Sequence, residues 1–242
     1  PTVQAFIDDR LLRRADDRDF RSLESVGEMA WQMHDQPDAG LWEFRTMQQI
    51  HTYSSVMSWA ACDRLANVAE RLGREDRRAF WRERAEKIRA TIETRAWNEE
   101  AGHYASSFEG EILDASLLQM VELRFVKADD PRFQATFAAI EKDLRRGEHM
   151  LRYAHEDDFG TPETAFNICT FWLIEALHLA GRDEEARELF ETMLGHRTPS
   201  GLLSEDLDFT TDELWGNFPQ TYSLVGIINC ASLLSAKWST VR

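Results

Sequence analysis

Four stretches of this 242-residue chain carry apolar side chains on nearly every side at helical spacing: residues 52–72 (TYSSVMSWAACDRLANVAERL), 113–123, 163–180 (ETAFNICTFWLIEALHLA) and 219–236. A helix without a polar face must be covered all round. Four others, at about 19–35, 75–96, 131–146 and 183–195, are amphipathic and densely charged, so each can cover a neighbour and still face water. The two kinds alternate along the chain, which predicts an all-α fold with an inner and an outer layer of helices. Strand-like alternation never persists beyond a few residues, and only 12 Gly and 6 Pro interrupt the helical pattern. One more helix at 3–14 brings the expected number to nine.

The turns from apolar to charged helix resemble one another: Leu72-Gly73-Arg74-Glu75-Asp76, Ala128-Asp129-Asp130-Pro131 and Ala180-Gly181-Arg182-Asp183-Glu184, with Ala15-Asp16-Asp17 as a fainter copy. Aligning Glu75, Asp129 and Asp183 gives a helical-hairpin repeat of 54 residues. Gly just past one helix and an acid at the start of the next match the orphan carbonyls and amides of helix ends. The opposite connections, 36–51, 97–112, 147–162 and 196–218, are long and differ in every copy. In an up-and-down array they share one end, where sites are usually built. Inner helices with no solvated side favour a closed α/α toroid over an open solenoid, and an odd number of helices predicts an incomplete ring.

Composition excludes several classes. A net charge of −15, with basic clusters interleaved with acids as in RRERAEKIR, opposes nucleic-acid binding. No apolar run approaches 18 residues and PTVQAFIDDR is no leader, so the expectation is a cytoplasmic protein without membrane contact. The first residue is Pro1, which points to a processed or partial chain. Cys62, Cys169 and Cys230 lie in apolar helical patterns and read as buried thiols. Seven histidines show no paired ligand spacing, and no C-x-x-C, G-x-S-x-G or P-loop occurs, so no metal or cofactor is expected. Each histidine reads as a loop or core residue, with His178 the clearest satisfied core histidine.

What remains is carboxylates beside aromatics on the long-loop end. Glu43 lies between Trp42 and Phe44 in GLWEFR, where desolvation would raise its pKa and suit it to donate a proton. Glu205 lies in GLLSEDLD among polar neighbours, where a carboxylate stays ionised. Such a pair suits acid/base hydrolysis. Either glutamate alone reads as a solvated surface acid; their joint position is what points to function.

These motifs carry a family resemblance. GLWEFR, HTYSSVMSWAACDRLANVAERLG, LDASLL, RYAHEDDFG with PETAFNICTFWLIEALHLAGR, GLLSEDLD and GNFPQTYS run in order along nearly the whole chain, which resembles the catalytic domain of bacterial glycoside hydrolase family 15. That family includes glucoamylases, glucodextranases and related trehalases, on an (α/α)6 barrel of twelve helices. Residues 1–242 then resemble the C-terminal two-thirds or so of one such domain. The resemblance implies an inverting, exo-acting hydrolase that releases glucose from an α-glucoside oligosaccharide or disaccharide. Glu43 matches its general acid and Glu205 its general base, with carboxyl groups about 6.5–9.5 Å apart to admit a water.

The resemblance also implies substrate contacts. Trp42 offers a flat face to a sugar, and Arg152 matches the family arginine that donates to hydroxyls, although an ion pair with Glu156 or Asp157 is an equal reading. Glu163 is a helix-start acid or a hydroxyl acceptor, Phe218 lines the pocket or belongs to the core, and Trp215 and Tyr104 are weaker candidates for sugar contact. Two departures stand out. Where many relatives carry Glu-Tyr-Asp, this chain has Glu205-Asp206-Leu207-Asp208, and the family's Arg-Asp pair that grips terminal glucose lies upstream of these residues. The expectation is therefore weak turnover by these 242 residues alone, with exposed apolar inner helices that aggregate or pair. Two other readings are a non-catalytic carbohydrate-binding domain, as in the glucoamylase-like domains of phosphorylase kinase regulatory subunits, and another α/α-toroid enzyme such as an epimerase or lyase. Retention of both glutamates favours the hydrolase.

Overall fold

The structure, a computed structural model, describes residues 15–157 and 160–235; the helix expected at 3–14 lies outside them. Among the described residues helical hairpins dominate, with a few two-residue strands, in two compact units, one reaching to Asn98 and including 105–110, the other made of 99–104 and the described residues from Glu111 onward.

The first unit holds α1 (Asp17–Met33), α2 (Thr52–Arg71), α3 (Glu75–Arg95) and the short β1 (Trp97–Asn98). Helix α2 buries Val56, Trp59, Ala60, Cys62, Leu65 and Val68, which lie all round it, whereas α3 buries one stripe, Trp81, Ala85, Ile88 and Ile92. The difference between covered and covering helices is thus present in this hairpin. Trp81 is fully buried, and its indole N–H donates to Glu24 of α1 at 2.8 Å. Gly27, in the middle of α1, costs about 1 kcal/mol of helix propensity relative to Ala. It is needed because a Cβ there would stand 2.2 Å from Leu65 Cδ1 and 2.9 Å from the Trp81 ring.

The second unit begins with β2 (His103–Tyr104) and a 3-10 turn (Ala115–Leu118) that runs into α4 (Gln119–Glu122). Then come α5 (Pro131–Leu144), the hairpin of β3 (Arg145–Arg146) and β4 (His149–Met150), β5 (Ala165–Phe166), α6 (Asn167–Leu179), α7 (Asp183–Gly195), β6 (Asp206–Leu207), β7 (Leu214–Trp215) and α8 (Thr221–Leu234). Strands β5, β6 and β7 form one antiparallel sheet with Phe166 opposite Asp206 and Asp206 opposite Trp215. Helix α6 is buried nearly all round, and α8 approaches it so closely that a Cβ on Gly226 would stand 2.4 Å from Phe171 Cδ2.

The all-α expectation holds, with corrections at element ends. The stretch 113–123 opens as a 3-10 turn capped by Asp114, whose carboxylate accepts from the Ser116 N–H at 2.6 Å. The helix expected from 163 begins at Asn167 and the one expected to reach 146 stops at Leu144, because short strands occupy Ala165–Phe166 and Arg145–Arg146, and the one expected from 219 begins at Thr221 after the extended cap residue Gln220. The repeat is also less regular. Asp130, not Asp129, caps α5, and the three charged helices begin at Glu75, Pro131 and Asp183, so the spacings are 56 and 52 residues. At Gly73 and Gly181 (φ +69° and +81°) the chain closes the preceding helix in the left-handed conformation that glycine adopts without strain. Both ends carry the paired bonds of that motif, Gly73 N–H to Glu70 O with Arg74 N–H to Ala69 O, and Gly181 N–H to His178 O with Arg182 N–H to Leu177 O. Arg74 and Arg182 at the following cap positions offer no acceptor, so there the first-turn acids act through the helix dipole rather than as caps.

Burial pushes the Cys62 thiol up to about 11 and holds those of Cys169 and Cys230 above their ordinary value. All three are buried free thiols, as expected. Among the described residues no helix is long and apolar enough to cross a membrane.

Candidate active site

Glu43 belongs to the first unit. Its loop leaves α1 and is pinched shut by an antiparallel bridge, in which the Asp38 N–H donates to Gln49 O at 2.9 Å and the Gln49 N–H to Asp38 O at 3.2 Å. Inside the pinch the Asp38 carboxylate accepts from the Gly40 N–H at 2.7 Å, and the Glu43 and Phe44 N–H groups bond back to Gly40 O and Ala39 O. Glu43 itself has φ +54°, a conformation a non-glycine residue adopts only where its surroundings hold it there. The Phe44 ring stacks on buried His51, centroids 5.9 Å apart, and so takes the apolar side of the loop inward. Glu43 is exposed and Trp42 half-buried, so the expected enclosure of the carboxyl between Trp42 and Phe44 is not what the loop builds.

Glu205 belongs to the second unit and is far more tied down. Its N–H donates to Asn217 O and its carbonyl accepts from the N–H of Asn167, the first residue of α6, both at 2.9 Å. Its carboxylate accepts three N–H groups: Asn217 Nδ2 at 2.9 Å and the Asn217 backbone at 3.2 Å on Oε2, and Gln220 Nε2 at 3.0 Å on Oε1. The loop between the donors and β7 turns at Gly216, where a Cβ would stand 3.0 Å from Glu205 Oε2. Beside this carboxylate Trp215 and Phe218 are 53% and 52% exposed. Large aromatics left in water next to a fixed carboxylate are a ready face for a sugar ring.

A polar cluster is linked to Glu205 through the charge of Asp206. Arg152 Nη2 donates to Asp157 Oδ2 at 3.1 Å, and the Tyr153 hydroxyl donates to the same oxygen. The Asp157 carboxylate is only 4% exposed, so the pair is an interior one rather than the surface pair that the sequence allowed. The guanidinium also lies 6.0 Å from the centre of the Phe166 ring. Asp206 shares the sheet face with Phe166 and Trp215, and burial pushes its carboxyl up to about 6, against the pull of Arg152 and with the help of the Glu205 charge. Glu163 is exposed and four residues ahead of α6, so it is not the helix-start acid expected; Tyr104 is 2% exposed and belongs to the core. His178 is half-buried, with Nδ1 2.6 Å from the Asp183 carboxylate, and it is not in the core.

Sequence reasoning named Asp157 as one of two possible partners of Arg152 but missed Asn217 and Gln220 as partners of Glu205, and Asp206 between Glu205 and Arg152. Asn217 and Gln220 stand in the GNFPQ motif, 12 and 15 residues past Glu205, and only the β6–β7 fold-back shows why they matter.

Helical hairpins therefore carry a hydrogen-bonded carboxylate on a loop that also holds two exposed aromatics. The fold agrees with that of a solved glucoamylase from Saccharomycopsis fibuligera, a helical toroid: the TM-score is 0.71 at 12% identity, over 87% of this chain and 60% of that one. The chain belongs to the glycosyl hydrolases family 15, whose sequence profile matches residues 25–232. Curated relatives include a trehalase of Mycolicibacterium smegmatis, 38% identical over 80% of this chain, and a trehalase of Thermoplasma volcanium, 34% identical over 82%. The chain spans 29% and 32% of their lengths.

Proposed function

We propose that the protein hydrolyses an α-glucoside with inversion, Glu43 acting as general acid and Glu205 as general base, and that its substrate is trehalose. The observation that carries this reading is the Glu205 carboxylate, held by three N–H groups beside exposed Trp215 and Phe218. A base that must aim a water at one carbon needs such fixing. Both trehalase relatives support the choice of the α,α-1,1 disaccharide, and the family profile over 25–232 supports reading residues 1–242 as part of one catalytic domain.

In the proposed step Glu205 takes a proton from water as its oxygen bonds to the anomeric carbon. The glycosidic bond breaks on the opposite side, and Glu43 gives its proton to the leaving oxygen. The cycle closes when Glu205 loses a proton to solvent and Glu43 regains one. Trp42, Trp215 and Phe218 pack on sugar faces, Arg152 donates to hydroxyls from its anchored position on Asp157, and Glu163 accepts a hydrogen bond from a sugar hydroxyl.

Trehalose makes the stereochemistry readable. Inversion at one of its two α-carbons releases one β-glucose and one α-glucose, whereas retention releases only α-glucose. Proton NMR of the first turnovers in 18O-water is expected to show equal anomers, with the label only in the β-anomer. An initial product that is wholly α overturns the mechanism, and no hydrolysis of trehalose while maltose or isomaltose is cleaved overturns the substrate.

A further inference from the structure

His149, His196 and Asp212 are far apart in sequence, and their spacing carries no ligand motif, yet the fold of the second unit brings one donor atom from each within 4.8 Å of the others. His149 is in β4, His196 caps the C-terminal end of α7, and Asp212 lies in the turn between β6 and β7. We propose that these three side chains bind a divalent transition-metal ion, zinc being the natural probe.

Three observations carry this. His149 is 6% exposed, and among the described residues its Nδ1 has no hydrogen-bond partner. A buried polar atom left so costs about 1–3 kcal/mol and calls for a partner that the protein atoms do not supply. The two imidazoles are tilted by 58° with centroids 5.1 Å apart, an arrangement that converges on a shared point better than stacked rings do. Asp212 is exposed with φ +60°, in a turn closed by the carboxylate of Asp208, which accepts the Thr210 and Thr211 N–H groups. Asp212 therefore keeps its own carboxylate available.

Two imidazoles and one carboxylate are the donor set of three-ligand zinc and non-haem iron sites, and nitrogen donors disfavour calcium and magnesium. A tetrahedral ion at 2.0–2.1 Å from its ligands sets them about 3.4 Å apart. Half-buried His196 at a helix end and exposed Asp212 in a turn can close that gap by side-chain rotation. Bound there, the ion ties the β3–β4 hairpin and the end of α7 to the turn that joins β6 to β7. Those strands carry Asp206 and Trp215 and lead to Gly216 and Asn217, which support Glu205. The ion is thus a brace for the loop holding the proposed base, with no part in bond breaking.

The test uses the protein purified without a polyhistidine tag and stripped with EDTA. Calorimetric titration with zinc is expected to show one ion per chain with Kd below about 1 μM, and a rise in Tm by mass action. Cobalt is expected to give the visible spectrum of a low-symmetry four- or five-coordinate site. His196→Ala and Asp212→Asn, both outside the core, are each expected to weaken zinc binding by at least roughly 10–100-fold, the loss that even outer-shell partners cause. Their apo Tm values report that the fold is kept. Absence of stoichiometric binding, or binding unchanged in both variants, overturns the proposal.

Discussion

The two glutamates sit on loops built in opposite ways. The Glu43 loop is fixed through its backbone: a bridge at Asp38 and Gln49, a left-handed residue at Glu43 itself, and Phe44 turned in against His51. Among the described residues the Glu43 carboxyl makes no side-chain hydrogen bond. The Glu205 loop is fixed at the carboxylate, which accepts three N–H groups while its backbone joins α6 and Asn217. The proposed roles explain why. An acid that must reach a leaving oxygen and part with its proton is served by a stiff backbone and a carboxyl free of competing donors. A base that orients a water is served by a carboxylate that does not rotate.

The largest expected effect separates the two loops chemically. Glu43→Gln and Glu205→Gln should each lower kcat on trehalose by about 10²–10⁴-fold. α-Glucosyl fluoride has a leaving group that needs no proton, so Glu43→Gln should recover most of its activity on that substrate while Glu205→Gln should not. Equal losses on both substrates would break the assignment of acid and base.

Glycine substitutions extend the comparison to the scaffolds. Gly216 has φ +77°, and a Cβ there would crowd Glu205 Oε2 at 3.0 Å and its Cβ at 3.1 Å. Gly216→Ala should therefore misplace the base and cost about 100-fold in kcat/KM on both substrates. Gly40 has φ +68°, and a Cβ there would stand 2.8 Å from Nε2 of buried His51. Gly40→Ala should disturb only the Glu43 loop, so steady-state rates with the fluoride should be spared. A Gly216→Ala variant that keeps full activity would show that the carboxylate is not positioned by its support.

How much of this could be read from residues alone differs between fold and site. Helices were legible because burial on one side or on all sides leaves a periodic trace over 13 residues or more, as in α6 and α7. Strands of two residues leave none, which is why Ala165–Phe166 reads as the start of a helix. At the site, Trp-Glu-Phe suggested a buried acid, but the loop turns through a left-handed residue that leaves Glu43 exposed while Phe44 stacks on His51. Asn217 and Gln220 were invisible as partners because their approach to Glu205 depends on a sheet register. Asp206 was hidden among its acidic neighbours, since only Phe166 and Arg152, distant in sequence, give it an interior environment.

Asp206 gives the last contrast, because it puts a second acid, largely shielded from water, next to the proposed base. Burial lifts its carboxyl from an ordinary 3.8 to about 6 in the folded protein. The folded state therefore holds a proton that the unfolded chain releases between those values, so the stability it brings is fully present below pH about 4 and lost as pH rises through 6. At 1.36 kcal/mol per pH unit, discounted for the solvent that still reaches the group, the loss is on the order of 2 kcal/mol. Asp206→Asn keeps the shape and removes the titration. Its Tm should match that of the parent near pH 4 and exceed it by several degrees at pH 8, read by thermal unfolding across that range. A parent that gains stability from pH 4 to 8 more steeply than the variant would mean that Arg152 prevails over burial, and that Asp206 stands ionised beside the proposed base throughout.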